Sequence, residues 1–104
     1  MIITTSNEIP GKEVAEILGL ARGNTIRARW FGRDIAAGLK TIVGGEIKSY
    51  VSMMTKAREE SLARMIAEAE SLGADAIIGV RFTTSQVMAS AAEILAYGTA
   101  VKLK

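Results

Sequence analysis

The sequence predicts a single α+β domain over residues 1–104, in the order β-β-α-α-β-β, with an antiparallel sheet covered by one long and one short helix. Two observations lead to this prediction. The run Leu72–Val80 is typical of a helix end, a glycine stop, a tight turn and a buried strand. A long stretch of helical period, residues 49–72, separates two groups of strand-like segments. At 104 residues, the chain has the length of one domain with a modest core.

The N-terminal part is predicted to be mostly extended. Ile2–Thr5 has the composition of a short strand. Residues 12–21 fit a helix by the spacing of their apolar side chains, or a strand because glycines interrupt the segment. In residues 25–30, apolar and polar side chains alternate, which is the period of a half-buried strand. We therefore predict extended structure over residues 13–30, with a bend or bulge near Gly23-Asn24.

Two helices are predicted in the middle of the chain. Asp34 suits the N-cap of a short helix over residues 35–43, which Gly44-Gly45 would end. A long helix over residues 49–72 follows, with Gly73 as its expected left-handed cap. Its apolar stripe has spacings of three and four residues and consists of Met54, Ala57, Ser61, Met65, Ala69 and Leu72. A second side of this helix carries a charged ladder of Lys56, Glu60, Arg64 and Glu68.

Two further strands are predicted after the long helix. They cover residues 76–84 and 92–103, and a loop over residues 85–90 joins them. Regular alternation places Ile78 and Val80 on the same face. Both strands carry apolar residues on both faces, so both faces need cover. The helices cover one face, and we expect neighbouring subunits to cover the other.

The composition favours a self-associating protein. Hydrophobic residues make up 49% of the chain, and small domains with surplus apolar surface tend to bury it between subunits. The net charge of +2, from thirteen basic and eleven acidic residues, gives no argument for a nucleic-acid partner. The sequence has no apolar stretch of the ~20 residues that a membrane helix needs. Its first residues do not resemble a signal peptide, so we expect a cytoplasmic location and no membrane partner.

Three blocks of the sequence are specific when their order and spacing are taken together. The first covers residues 33–45 and Tyr50, the second joins residues 57–59 to residues 72–80, and the third covers residues 97–102. In these blocks the chain resembles the YbjQ-like family, a prokaryotic family of uncharacterised proteins that carries a heavy-metal-binding label. The resemblance implies a dodecin-like fold and a ring-shaped homo-oligomer, a pentamer. It implies no reaction and no ligand.

The best candidate for a binding site combines glycines with charged residues. It comprises Arg33, Asp34, Gly44, Gly45 and Tyr50. An arginine near a helix N-terminus can hold an anionic group, and two glycines let a ligand approach the backbone. In a ring, one copy per subunit would line a cleft between subunits or the central pore. A structural interpretation stays open, in which Asp34 caps the helix, Arg33 pairs with an acid and the glycines form a turn.

The sequence argues against a metal site, a cofactor and catalysis. It contains no Cys and no His, so it lacks the thiolate and imidazole ligands of heavy metals and the usual nucleophile and general base. Its five methionines form no cluster, and no phosphate loop or dinucleotide fingerprint is present. We therefore predict a non-enzymatic homo-oligomeric binding or scaffold module without a cofactor. A metal-binding protein, as the family label suggests, and an enzyme without a recognisable motif are the alternatives.

Two further groups of polar residues have both a functional and a structural interpretation. Arginines cluster near Trp30 and Phe31, as in some single-stranded nucleic-acid sites, and they are Arg22, Arg27, Arg29 and Arg33. Because the charge is nearly balanced and no RNA-binding signature occurs, a face that is solvated or forms salt bridges between subunits is favoured. Asp75 is predicted to accept hydrogen bonds from backbone N–H groups in its own turn.

Overall fold

The computed structural model describes residues 1–28, 45–88 and 91–104, which form a four-stranded mixed sheet with one long helix against it. The strands are β1 (Ile2–Ile3), β2 (Val14–Ala28), β3 (Ala76–Met88) and β4 (Ala91–Leu103), and the helix is α1 (Gly45–Ser71). The α+β class is therefore confirmed. The short helix predicted over residues 35–43 lies outside the described residues.

The sheet has the strand order β1-β3-β4-β2. β4 lies between β2 and β3 and is antiparallel to both, as predicted. β1 is parallel to β3, so the prediction of a purely antiparallel sheet is wrong at this strand. No hairpin joins β1 to β3, because the two strands are separated by β2 and α1 along the chain, so nothing local imposes an antiparallel direction.

The alternation in β2 is present, but its polar side faces the helix. Thr25 is 4% exposed and Arg27 is half-buried, whereas Ile26 is 57% exposed. The reason is that α1 offers a carboxylate, Glu60, to both polar side chains. The apolar side chains of this stretch are therefore left on the opposite face of the sheet. The predicted irregularity near Gly23-Asn24 is also wrong, because the register shifts of β2 lie earlier, between Val14 and Gly19.

The helix packs closely across β2 and buries the predicted stripe. A Cβ atom placed on Gly23 would overlap the main-chain nitrogen of Met65 and the main-chain oxygen of Ser61. Four of the six predicted stripe residues are fully buried, namely Ala57, Ser61, Met65 and Ala69. Leu72 is exposed because α1 ends at Ser71. Gly73 follows with φ +81°, which confirms the predicted left-handed cap.

A bulge in β3 changes which side chains reach the core. The pairing of β3 with β4 shifts between Ile78 and Arg81, and Gly79 lies in the left-handed region with φ +61°. Ile77 and Val80 therefore both join the core cluster, so the predicted pairing of Ile78 with Val80 on one face is wrong. The rest of this cluster consists of Ala21, Met65, Ala69, Ala96 and Ala100.

The third strand is also longer than predicted. It continues to Met88, so the predicted loop over residues 85–90 is wrong for residues 85–88. The cause is the length of β4, which starts at Ala91 and pairs with β3 up to Met88. These long strands give the described chain a radius of gyration of 17.2 Å and extents of 56 × 21 × 16 Å. A compact chain of about 100 residues has a radius of gyration of about 13 Å.

The sheet face opposite α1 is called the open face below. Its side chains come from alternate positions of the three long strands and include Leu20, Arg22, Asn24, Ile26, Arg81, Thr83, Leu95 and Tyr97. Leu20 and Ile26 are more than half exposed, and Tyr97 is 36% exposed. At one end, the same side of the sheet carries Ala76 and Val101, which are fully buried. The chain between β1 and β2 has to cross the sheet, since these strands are its two edges.

Candidate ligand-binding site

Tyr50 is half-buried on α1 and lies beside the C-terminal ends of β2 and β3 and the N-terminal end of β4. It lines a recess of about 240 Å³. The other lining residues come from β2, α1, β3 and β4, and they are Arg27, Met53, Met54, Thr84, Gln86, Ala91 and Ala92. The sequence brings them together because β3 and β4 pair up to Met88 and Ala91, which places these residues beside the end of β2. The recess is mostly apolar, with one arginine in its wall.

A second recess adjoins the first and is more polar. It has a volume of about 340 Å³ and is lined by Arg27, Ser49, Ser52, Met53 and Lys56. Four of these residues lie at helical spacings of three and four, so they share one side of α1. Arg27 and Met53 line both recesses, so the two adjoin at these side chains, and together they are called the depression below, with an apolar part and a cationic part.

A charged cluster fixes Arg27 in this position. Its Nη2 donates to Oε2 of Glu60, and Arg64 pairs with Oε1 of the same carboxylate at 2.6 Å. The hydroxyl of Thr25 also donates to Oε1, at 3.1 Å. Glu60 is 33% exposed, which makes this cluster less screened than a surface ion pair. One carboxylate on the helix therefore orients two arginines and a buried threonine.

The Nε atom of Arg27 is buried and has no hydrogen-bond partner among the described residues. Buried polar groups in proteins are almost always hydrogen-bonded, and leaving one unsatisfied costs about 1–3 kcal/mol. Because Arg27 lines both recesses, its guanidinium is the strongest candidate for contact with a bound molecule. Such a molecule would have to offer an acceptor.

The structure describes two of the five residues that were predicted to form a binding site, Gly45 and Tyr50. Arg33, Asp34 and Gly44 lie outside the described residues, so their placement stays a prediction. Gly45 is the first residue of α1, so the open alternative of a turn between helices does not hold for it, and its predicted role in ligand binding stays a prediction. Tyr50 lies in the recess wall, and it has an interaction partner in the protein.

Sequence reasoning missed Arg27 as the centre of the depression and grouped it with a basic strand face. The alternation of β2 contained a usable signal, because it places Arg27 on the same face as Gly23 and Thr25. The close approach of α1 at Gly23 then brings Glu60 to that face. Arg27 does form a salt bridge, but with Glu60 of its own chain, so the salt bridges between subunits that the sequence favoured stay a prediction.

The two edges of the sheet differ in how they are covered. On β2, the outward N–H of Arg22 donates to Oε1 of Glu68 at 3.2 Å, and Nη1 of Arg64 donates to the outward carbonyl of Asn24 at 2.6 Å. Side chains of α1 thus occupy the middle of this edge. On β3, β1 pairs only with Ala76 and Ile77, and the described residues place no strand beside Phe82 or Thr84.

Asp75 has a structural role that differs from the prediction in its partners. Its Oδ2 accepts from the backbone N–H of Leu103 at 2.9 Å, and Oδ1 lies 3.8 Å from Nζ of Lys102. The carboxylate therefore holds the end of β4 and does not bond within its own turn. The described residues contain no group of three acidic, His or Cys side chains arranged for a metal ion. Within the same residues, no helix is both long and apolar enough to cross a membrane.

Comparison with known proteins gives one family. A family model named YbjQ and described as "Putative heavy-metal-binding" matches residues 1–104. A UPF0145 protein of Archaeoglobus fulgidus is 64% identical over 104 residues, covering all of this chain and 96% of that protein. UPF0145 proteins of Thermotoga maritima and Psychromonas ingrahamii are 59% and 55% identical, covering all of this chain and 98% and 99% of those proteins.

The fold also occurs among solved structures, of which one matches this chain from end to end. It is a protein of unknown function from Pediococcus pentosaceus that belongs to the DUF74 family. The TM-score is 0.62 at 18% sequence identity, and the match covers all of this chain and 98% of that one. At this identity, the likeness concerns the fold alone.

Proposed function

The chain belongs to the YbjQ family, whose relatives are named UPF0145 proteins, and we propose that it is a non-enzymatic homo-oligomeric binding module. Its subunits would join through the outer edge of β3, and each subunit would hold a small ligand in the depression around Arg27 and Tyr50. The observation that carries this proposal is the second half of β3, which is exposed along its whole length.

The exposed part of β3 has the properties of a strand that pairs with another chain. Residues 81–88 are all exposed, and they include three large apolar side chains, Phe82, Val87 and Met88, that are each about half exposed. Soluble proteins protect such edges with lysine, proline, a bulge or a covering element. Here a register shift lies between Gln86 and Met88, but residues 81–86 pair with β4 without interruption and contain a single charged residue, Arg81, and no proline. A regular, weakly charged edge of this kind is suited to strand addition.

The open face provides further apolar surface for a subunit contact. Leu20, Ile26 and Tyr97 are large and exposed on this face. Polar residues surround them, and protein–protein interfaces likewise combine apolar contacts with a polar rim. Part of the exposed apolar surface of the chain therefore lies on the face that α1 does not cover.

A second copy of this chain is the partner that the fold suits best. A closed ring needs a head-to-tail contact, in which two different surfaces of the same subunit meet. The edge of β3 supplies one surface. The middle of the β2 edge is occupied by Glu68 and Arg64, which leaves the stretch beyond Asn24 as the candidate for the other. The resemblance to the YbjQ family makes five the proposed number of subunits.

The depression would then lie at the boundary between subunits. Thr84 and Gln86 of β3 form part of its wall, so a strand added to β3 would run past the recess that contains Tyr50. This placement agrees with the sequence prediction of a ligand at a subunit boundary. It also gives assembly a role, because a neighbour would close one side of the depression.

Binding without catalysis is proposed because the chain offers little for chemistry. With no His and no Cys, the usual general base and thiol nucleophile are missing from the whole sequence. Heavy-metal binding enters from the description of the family. The same missing residues are its preferred ligands, so the composition of this chain does not favour it.

The assembly is tested by native mass spectrometry of tag-free protein. Outward N–H groups alternate along an edge strand. The backbone N–H of Arg22 points out of the sheet, so its partner on β4, Tyr97, directs its own N–H toward β3. Tyr97 pairs there with Arg81, whose N–H therefore points back toward β4. By alternation, the N–H of Thr84, three residues further on, points out of the sheet. Thr84→Pro should therefore block strand addition without breaking the pairing of β3 with β4.

The matched control is Thr84→Val, which removes the hydroxyl but keeps the N–H group. We expect wild type and Thr84→Val to form the same oligomer, and Thr84→Pro to be monomeric with an unchanged far-ultraviolet circular dichroism spectrum. A monomeric wild type would overturn the proposal. An oligomer that persists unchanged in a folded Thr84→Pro variant would place the contact elsewhere than on this edge.

A further inference from the structure

We propose that the depression binds a small organic anion, with a phosphate or similar oxyanion group between Arg27 and Lys56 and an apolar part against Met53 and Met54. The inference deepens the binding half of the proposed function and is independent of its assembly half, because all of the named residues belong to one chain. It assigns a chemical class of ligand to residues that the family description does not mention.

The first argument is the balance of charge around the polar recess. Three cations, Arg27, Lys56 and Arg64, lie on or next to it, and Glu60 is the carboxylate that pairs with two of them. Lys56 is exposed and forms no ion pair with any residue that the structure describes. The recess wall itself contains two cations and no carboxylate. A concave surface of this charge favours an anion over a cation.

The second argument is the kind of polar group in the wall. Arg27 and Lys56 only donate hydrogen bonds, and the hydroxyls of Ser49 and Ser52 are able to donate. An oxyanion, which only accepts, satisfies all four groups. The Nε of Arg27 is also unpaired among the described residues, but it is buried and adds only to the positive charge beside the recess. Because Glu60 holds Nη2 of the same guanidinium, the remaining donors of Arg27 are already oriented before a ligand arrives.

The third argument is that the depression is larger than an inorganic ion needs. The polar recess alone is about 340 Å³, near the lower end of small-molecule pockets. The adjoining recess is lined by Met53, Met54, Ala91 and Ala92, together with Tyr50. Methionine side chains are adaptable and pack well against flat or irregular apolar groups. A ligand with an anionic head and an apolar body would therefore use both parts at once.

The test uses phenyl phosphate and inorganic phosphate as probes. Binding to tag-free protein is followed through the amide resonances of α1 and by isothermal titration calorimetry. We expect phenyl phosphate to bind more tightly than inorganic phosphate and to shift the resonances of Ser49, Ser52 and Met53. Lys56→Ala should weaken phenyl phosphate binding about tenfold, since a hydrogen bond to a charged group is lost. Arg27→Lys, which keeps the charge but loses the planar guanidinium, should weaken it by a similar factor.

Arg58→Ala is the matched control for charge, because Arg58 is an exposed cation two residues from Lys56 and does not line the recess. It should leave the affinity unchanged. The inference is overturned if neither probe shifts the named resonances, or if Arg58→Ala and Lys56→Ala weaken binding equally. Native mass spectra recorded on the same samples separate the two proposals. A monomeric protein that binds phenyl phosphate would contradict the proposed assembly alone. An oligomeric protein that does not bind phenyl phosphate would contradict the proposed anion site alone.

Discussion

At the scale of single residues, Gly23 has less space for a Cβ atom than any other glycine that the structure describes. The main chain of Ser61 and Met65 occupies the space that a Cβ atom would need, and main-chain atoms cannot move aside as the end of a side chain can. Gly23→Ala should therefore lower the free energy of unfolding by about 3 kcal/mol, at the upper end of the usual cost of overpacking. Urea denaturation measures this change.

Gly11→Ala separates crowding from backbone strain. Gly11 has φ +77°, but no atom lies within 4 Å of the position that a Cβ atom would take, so only the conformational cost of about 1–2 kcal/mol applies. If the two substitutions cost the same, then the close approach of helix and strand is not what Gly23 provides.

The carboxylate of Glu60 is the second residue whose loss has a specific prediction. Without it, Arg27 and Arg64 lose their shared partner and Thr25 loses its acceptor. Glu60→Ala should destabilise the protein by about 1–2 kcal/mol, more than a single exposed ion pair is worth. Glu59→Ala, at the neighbouring exposed position, should change stability by less than about 0.5 kcal/mol. Equal effects of the two would show that the cluster adds nothing beyond surface charge.

Removing metal ions is predicted to leave the stability of the protein unchanged. Since the whole chain lacks Cys and His, tag-free protein should contain no stoichiometric zinc or copper by elemental analysis. Incubation with EDTA should leave the thermal unfolding temperature unchanged. A chelator-dependent fall of several degrees, reversed by one metal, would instead support the heavy-metal description of the family.

At the scale of elements, the sequence was sufficient for the long helix and for β4. The apolar stripe of α1 from Ala57 to Ala69 is buried, and only the helical period places these residues on one side. The register of β3 was not predictable in the same way. Ile77, Ile78 and Val80 are all apolar, so the sequence is compatible with either face being buried, and only the bulge at Gly79 decides between them.

The candidate site was predictable only in part, for a related reason. Tyr50 was selected through a resemblance between sequences, and it lies in the depression. Arg27 could not be selected from β2 alone, because its role depends on Glu60, which is 33 residues away in the chain. Contacts between distant segments have no local signature, so a functional group defined by such a contact becomes visible only in the fold.

At the scale of the whole molecule, the described chain is long and narrow, and it exposes apolar residues on the open face and along β3. If a second copy covers them, stability has to depend on protein concentration, because dilution favours the free subunit. We expect the thermal unfolding temperature of the wild type to rise with concentration between about 1 and 100 μM by differential scanning calorimetry. The Thr84→Pro variant should show no such rise. A wild-type value that is constant over this range would contradict assembly.

The position of β4 has a consequence for how the protein is made. β4 is an inner strand that pairs with both β2 and β3, yet it is the last element of the described chain, and its pairing with β2 joins Val14 to Leu103. A ribosome releases the chain from its N-terminus, so β2 and α1 emerge before their common partner exists. The core cannot close during synthesis until Ala96 and Ala100 of β4 have left the exit tunnel. The pairing of β2 with β4 then joins segments that are far apart in the sequence, and contacts of this kind form slowly. Until then, the apolar stripe of α1 is accessible to chaperones.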